Sequence, residues 1–184
     1  MRLKCLRLCV AVALACCAFG LQGCRGTPAQ KNIEPVYDPD TGRLRQLKYD
    51  SDSNGKVDTV SHMDGALVLR IEIDKDEDGK VERWEYYDAA RKLEKVGFSR
   101  ANDGVEDAWS YMGPDGNVSR VEEDTNGDGA VDKWDSYEAG RLASVAFDST
   151  HRGKPDRRLT YSPDGSVKVE VDLQGSGQWS PVKK

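Results

Sequence analysis

From Asp50 onward the chain repeats itself at a nearly constant interval. Segments rich in Asp, Asn and Gly begin at Asp50, Asp74, Ser99, Asp124, Asp148 and Asp172. A fixed period of this size, roughly 25 residues, marks an array of small units that bury apolar surface only by stacking on their neighbours. Two other columns keep the same register. Three residues before each acidic segment stand Leu47, Ile71, Val96, Val121, Val145 and Val169, while Trp84, Trp109 and Trp134 share its eleventh place. Turn signals separate the units: Pro39–Gly42, Met63–Gly65, Pro114–Gly116, Glu138–Gly140 and Pro163–Gly165. The second unit departs, with Ala89-Ala90 where glycine is expected.

The fullest acidic segment, DKDEDGKVERWE from Asp74 to Glu85, resembles the calcium loop of an EF-hand. Asp74, Asp76, Asp78, Glu82 and Glu85 fill the first, third, fifth, ninth and twelfth places. Gly79 is sixth, Lys80 stands at the backbone-carbonyl place, and Val81 is the apolar eighth residue. An EF-hand sets such a loop between two helices. The stretch between Glu85 and Ser99 is too short for an exit helix, a connection and an entry helix. The intervening stretches are also of the wrong kind. ALVLRIEI (Ala66–Ile73) and SVKVEV (Ser166–Val171) are β-branched and largely alternating, which is the strand pattern. Pro-Asp-Gly and Met-Asp-Gly between such runs mark hairpins.

The expected fold is therefore all-β: an antiparallel meander of about six strand-turn-strand repeats, with the acidic loops along one edge. The apolar column and the Trp column are expected to share one packed face, with all six members of the apolar column buried. W-x-Y-Y-D-x-x-x-K-L (Trp84 to Leu93) and Y-E-A-G-R-L (Tyr137 to Leu142) resemble the aromatic-turn-strand units of MORN-type and YD (Rhs) repeats. That resemblance implies a hairpin array, often a scaffold, and names no substrate.

Calcium takes six to eight oxygen ligands, and three loops offer most of them. The second is the one described. The fourth offers Asp124, Asn126, Asp128, Asp132 and Asp135, and the first offers Asp50, Asp52, Asn54 and Asp58 but ends in Ser61. The remaining three lose ligands and the apolar eighth residue together: Ser99 and Ala101 in the third, Arg152 in the fifth, Gln174, Ser176 and Ser180 in the sixth. The expectation is calcium at the second and fourth loops and more weakly at the first, with Arg152 as a built-in cation facing Asp148 and Asp156. Zinc does not suit the chain, whose only histidines are His62 and His151 and whose cysteines all lie at or before Cys24.

Those cysteines belong to a leader. Arg2, Lys4 and Arg7 precede an uncharged run from Leu8 to Leu21, the pattern of a secretory signal too short to span a bilayer. The run ends in Leu21-Gln22-Gly23-Cys24, which resembles the lipobox of bacterial lipoproteins. The resemblance implies a signal peptide over residues 1–23, a thioether-linked diacylglycerol and an acylated amino terminus at Cys24, and a membrane partner held through that lipid. Residues 24–35 read as a tether and residues 36–184 as the repeat domain. Arg25 after the cysteine points to the outer membrane of the cell envelope by analogy with lipoprotein sorting. Without Arg2, Lys4 and Arg7 the chain has 24 basic and 32 acidic residues, a net charge of −8 that excludes nucleic acid as a partner. The remaining readings are an envelope protein or glycan bound by the sheet face, and, more remotely, a glycan-processing enzyme. No nucleophile–base pairing or paired-acid cleft is visible, so the expectation is a non-enzyme.

Overall fold

A computed structural model describes residues 32–182. The residues read above as a signal peptide, Cys24 and the expected tether up to residue 31 lie outside them. The described residues contain thirteen strands and no helix. The strands are β1 (Ile33–Tyr37), β2 (Leu44–Tyr49), β3 (Thr59–Asp64), β4 (Leu67–Ile73), β5 (Arg83–Tyr87), β6 (Leu93–Phe98) and β7 (Ala108–Met112). They continue with β8 (Val118–Glu123), β9 (Lys133–Glu138), β10 (Arg141–Phe147), β11 (Arg157–Tyr161), β12 (Val167–Val171) and β13 (Ser180–Pro181). All form one sheet in chain order, each strand antiparallel to the next. Even-numbered strands run into the acidic segments and odd-numbered strands from β3 onward leave them, so the acidic loops share one edge and the tight turns the other. Strand structure begins at Ile33, three residues ahead of the domain boundary read from the sequence.

The turn without glycine explains itself. In Asp88–Lys92, Arg91 takes the left-handed conformation at φ 64° and donates its N–H to the Asp88 carbonyl at 2.9 Å. Gly116 and Gly165 occupy the same place in the turns closed by Gly113–Asn117 and Ser162–Ser166. A left-handed non-glycine residue costs roughly 1–2 kcal/mol, which the surrounding hairpin can absorb.

Register separates the two columns that the sequence suggested would pack together. Ile71 and Val96 pair with Glu85, whereas Trp84 pairs with Glu72 and Gly97. Because side chains alternate along a strand, this one-residue offset sends the aliphatic column to one face and the Trp column to the other. The same offset recurs where Val121 and Val145 oppose Asp135 while Trp134 opposes Glu122 and Ala146.

A sheet of one layer has nothing to bury either face against, and burial is correspondingly thin. Val96 and Val145 retain 3% and 7% exposure, but Leu47, Ile71 and Val121 are half-buried and Val169 is 37% exposed. The expectation of a fully buried column is thus corrected. Long polar side chains supply the missing cover. Arg83 pairs with Glu85 at 2.7 Å, and Lys133 bridges Glu123 and Asp135 at 2.6 and 3.3 Å. On the Trp face the Lys95 ammonium lies 4.0 Å from the centre of the Tyr86 ring and the Arg120 guanidinium 4.1 Å from that of Tyr111. Such stems cover apolar surface while the charged heads stay wet. Burial, and then a hydrogen bond to Glu106, push the Tyr86 phenol up to about 12.

This distribution of burial predicts an uneven cost for one substitution made along a single column. Val96→Ala or Val145→Ala should cost about 2 kcal/mol of stability. Val169→Ala should cost less than about 0.5 kcal/mol. Urea denaturation of the three variants checks this, and equal losses would contradict the placement.

Candidate functional site: the acidic loops

Each acidic loop is held by its own side chains. The first-position oxygen accepts the N–H of the sixth residue in every copy. Asp50 accepts from Gly55, Asp74 from Gly79, Ser99 from Gly104, Asp124 from Gly129, Asp148 from Gly153 and Asp172 from Gly177, at 2.6 to 3.3 Å. The sixth glycine is left-handed throughout, as at Gly79 with φ 90°. The fourth residue is left-handed too: Ser53, Glu77, Asn102, Gly127, His151 and Gly175 have φ between 52° and 76°. Nothing in the acidic pattern points to that position; the Asn and Gly found there in three copies were the available signal.

The ninth position closes the loop from the other side. Asp58 accepts from the Ser51 amide and hydroxyl at 2.7 and 2.5 Å, and Asp132 from those of Thr125 at 3.2 and 2.6 Å. Glu82 accepts the Lys75 and Asp76 amides, and Asp107 the Arg100 amide. Asp156 is wholly inaccessible and accepts the Ser149 and Thr150 hydroxyls, both at 2.6 Å. For Asp58, Asp124, Asp148 and Asp156, burial alone would raise the carboxyl pKa, but these hydrogen bonds outweigh it and hold each below its ordinary value.

The third and fifth positions also grip the backbone. Asp52 and Asp76 accept the amides of Asn54 and Asp78, and Asn126 that of Asp128. Asn54, Asp78 and Asp128 in turn accept the amides of Lys56, Lys80 and Ala130. Each such side chain spends an oxygen on the loop backbone, and the second oxygens of Asp52, Asp76 and Asp128 accept the side-chain amides of Asn54, Asn102 and Asn126. Asp50, Asp52 and Asp58, and likewise Asp74, Asp76 and Asp78, each bring carboxylate oxygens within 4.8 Å of one another. The Asp74 Oδ1 atom is inaccessible and has no hydrogen-bond partner.

Other expected ligands are placed elsewhere. Glu85 lies on β5, where it pairs with Arg83 and accepts the Tyr87 hydroxyl at 2.6 Å. Asp135 lies on β9 beside Lys133. Both twelfth-position carboxylates therefore serve the sheet face, because the chain leaves the loop as a strand and not as the helix that returns this residue to an EF-hand loop. Asp124, Asp128 and Asp132 of the fourth loop do not converge as the carboxylates of the first two loops do. Asn126 there is bound to Asp128 and to the His151 ring at 2.9 Å. Lys80 presents its ammonium 3.5 Å from Asp78. Arg152 does not face Asp148 and Asp156; it reaches to the Thr150 hydroxyl and the Leu173 carbonyl, tying the fifth loop to the sixth.

No family model matches the chain, and no curated protein matches it. Among solved structures it is similar to one titled "Crystal structure of accessory secretory protein 1,2 and 3 in Streptococcus pneumoniae", with 15% sequence identity and a TM-score of 0.43. The match covers 62% of this chain and 20% of that one, so the chain spans about a fifth of the structure it resembles. At this level the similarity carries no argument about the loops.

Two outcomes follow from the loop geometry. Asp156→Ala, which strands two buried hydroxyls, should destabilise the domain by about 1–3 kcal/mol in urea. Exposed Asp52→Ala should change metal-free stability by no more than about 0.5 kcal/mol. The acid response has a definite sign. Carboxylates whose folded pKa is depressed contribute stability that is complete above the unfolded value, about 3.9, and is lost as pH falls through the lower folded value. The loops should therefore hold at pH 5 and fail only below about pH 4, as read by circular dichroism along an acid titration.

Proposed function

We propose that this chain is an exported lipoprotein, anchored in the cell envelope through Cys24, whose acidic loops bind calcium as a structural staple. The observation that carries the proposal is the orphaned Asp74 Oδ1, buried beside Asp76 and Asp78 with no partner of its own. A carboxylate oxygen so placed is costly unless a proton or cation reaches it. A hard cation with oxygen ligands is the chemistry that Asp74, Asp76 and Asp78 offer, and Asp50, Asp52 and Asp58 offer it again. Binding would relieve repulsion among carboxylates already fixed in place by the loop amides. The Lys80 ammonium beside Asp78 would compete with the ion and weaken it.

The geometry reorders the three candidates. The first and second loops converge best, while the fourth would need Asn126 to leave Asp128 and His151. Outside cells calcium modules of modest rigidity bind at about 10⁻⁴–10⁻³ M. At 100 times the dissociation constant one site would add about 2.7 kcal/mol, enough to see in a melting curve. Isothermal titration of the parent with Asp74→Asn, Asp50→Asn and Asp172→Asn decides the matter. Each substitution keeps an oxygen for the loop amide and removes the charge. Loss of one site from each of the first two and none from the third supports calcium; no saturable binding by the parent would sink it. The anchor is tested separately: the mature protein should begin at an acylated Cys24 by mass spectrometry, and Cys24→Ala should abolish its partition into membranes.

A second reading is a scaffold module of the envelope whose sheet face binds protein or glycan and whose loops are partly vestigial. It is favoured by one observation: the third, fifth and sixth loops keep the left-handed fourth and sixth residues without a full set of carboxylates. The loop backbone does not depend on a full ligand set. Identical melting temperatures in calcium and in chelator would favour this reading.

A further inference from the structure

We infer that the β1–β2 hairpin is the membrane-facing end of the sheet, resting on the lipid surface while the remaining repeats project away from it. The inference depends on the lipid anchor at Cys24. Seven residues separate Cys24 from Asn32, whose carbonyl accepts the Asp50 amide and so belongs to the sheet. A chain of that length reaches at most about 29 Å when fully extended. The first strand is thereby kept close to the bilayer, whereas thirteen strands at about 4.8 Å spacing carry the last one roughly 58 Å further along the sheet.

Three features of the first hairpin suit it to a lipid surface. The first is charge. Residues 32–49 carry three basic and three acidic side chains, against 17 basic and 29 acidic over residues 50–182. Two of the hairpin's three acids are also matched: Asp38 pairs with Arg45 at 2.8 Å, and Glu34 stands opposite Lys48 across the strands. Arg43 similarly neutralises Asp64 of the adjoining β3 at 2.7 Å. The strongly acidic remainder is repelled by anionic headgroups, and the neutral end is not. The second feature is the outermost strand itself. Ile33 is 39% exposed and Tyr37 is 57% exposed, one aliphatic and one amphipathic aromatic side chain of the kind that settles at a membrane interface. The third is Pro35 in the middle of β1. It has no N–H to offer, which disfavours addition of a strand from another protein at this edge and leaves side-chain contact with lipid as the fitting use.

The consequence is an orientation. The strands run side by side away from the bilayer, and the acidic loops of the first and second repeats lie nearer the membrane than those of the fifth and sixth. The full-length acylated protein allows a direct test, because its one exported thiol is consumed by lipid and a single introduced cysteine can be labelled alone. Tyr37→Cys and Gln178→Cys, each carrying an environment-sensitive fluorophore, are reconstituted in phosphatidylcholine vesicles containing brominated phosphatidylcholine. The label at residue 37 should lose most of its emission to the bromines, and the label at residue 178 should lose none. Equal quenching at both positions, or quenching at 178 alone, would overturn the orientation while leaving the anchor intact. No quenching at 37 in protein that floats with the vesicles would overturn it as well. Protein that fails to float defeats the anchor itself, and flotation of the parent distinguishes that outcome.

Discussion

The hydrogen bond that joins one acidic loop to the next is the contact on which the rest of this structure depends. The carbonyl of a ninth-position residue accepts the amide of the following loop's first residue: Asp58 with Asp74, Glu82 with Ser99, Asp107 with Asp124, Asp132 with Asp148 and Asp156 with Asp172, at 2.8 or 2.9 Å. Each link fixes the backbone of the residue whose side chain then caps the sixth amide of its own loop. Register in the sheet and conformation in the loop are thus set by the same residue. In a single layer this matters more than usual. Among the described residues the buried apolar side chains are Met63, Trp84, Val96, Ala108 and Val145, while eight polar or charged residues are buried and most of them belong to the loops. Where the hydrophobic effect has so little surface to act on, a network of charge-assisted hydrogen bonds carries a larger share of the specificity.

That arrangement places the loop carboxylates in two competing roles. Both oxygens of Asp50, Asp124, Asp148 and Asp172 hold loop amides, whereas in the second loop one oxygen is left to face its neighbours. Asp74 shows both, with one oxygen on the Gly79 amide and the other without a partner. Repulsion among such oxygens is relieved either by a cation or by removing the charges, and the six copies contain both solutions. The third loop replaces the first carboxylate with Ser99 and fills the eighth position with Glu106, which turns onto the Tyr86 hydroxyl at 2.8 Å and the space above Gly97. The fifth uses Thr150 and Arg152 to hold itself and its neighbour. These copies close by hydrogen bonds alone, without a convergent carboxylate group of the kind found in the first and second loops.

The two faces of the sheet follow from the same register. Aliphatic side chains line one face and tryptophans the other, each interleaved with ion pairs whose stems take the place of a second layer. The resulting surface is amphipathic on both sides and acidic overall, except at the first hairpin. A chain held at that end would present its repeats outward, with both faces and the loop edge accessible to the surroundings.

The spacing of Asp50, Asp74, Ser99, Asp124, Asp148 and Asp172 was enough to determine the number of units, and the short stretch between Glu85 and Ser99 was enough to exclude helices. Alternating β-branched runs and Pro-Asp-Gly turns then determined an antiparallel meander, because those are local properties of the chain. Which residues share a face was not local. Trp84 and Val96 lie on opposite sides because Glu85, not Trp84, stands across from Val96, a register visible only once the strands pair. The fate of Glu85 and Asp135 was equally hidden: in sequence they complete a ligand set, but the strand that follows each loop points them at Arg83 and Lys133. Ligand identity along a loop is written in the sequence, whereas ligand convergence depends on the direction in which the chain leaves it, and that direction belongs to the tertiary structure.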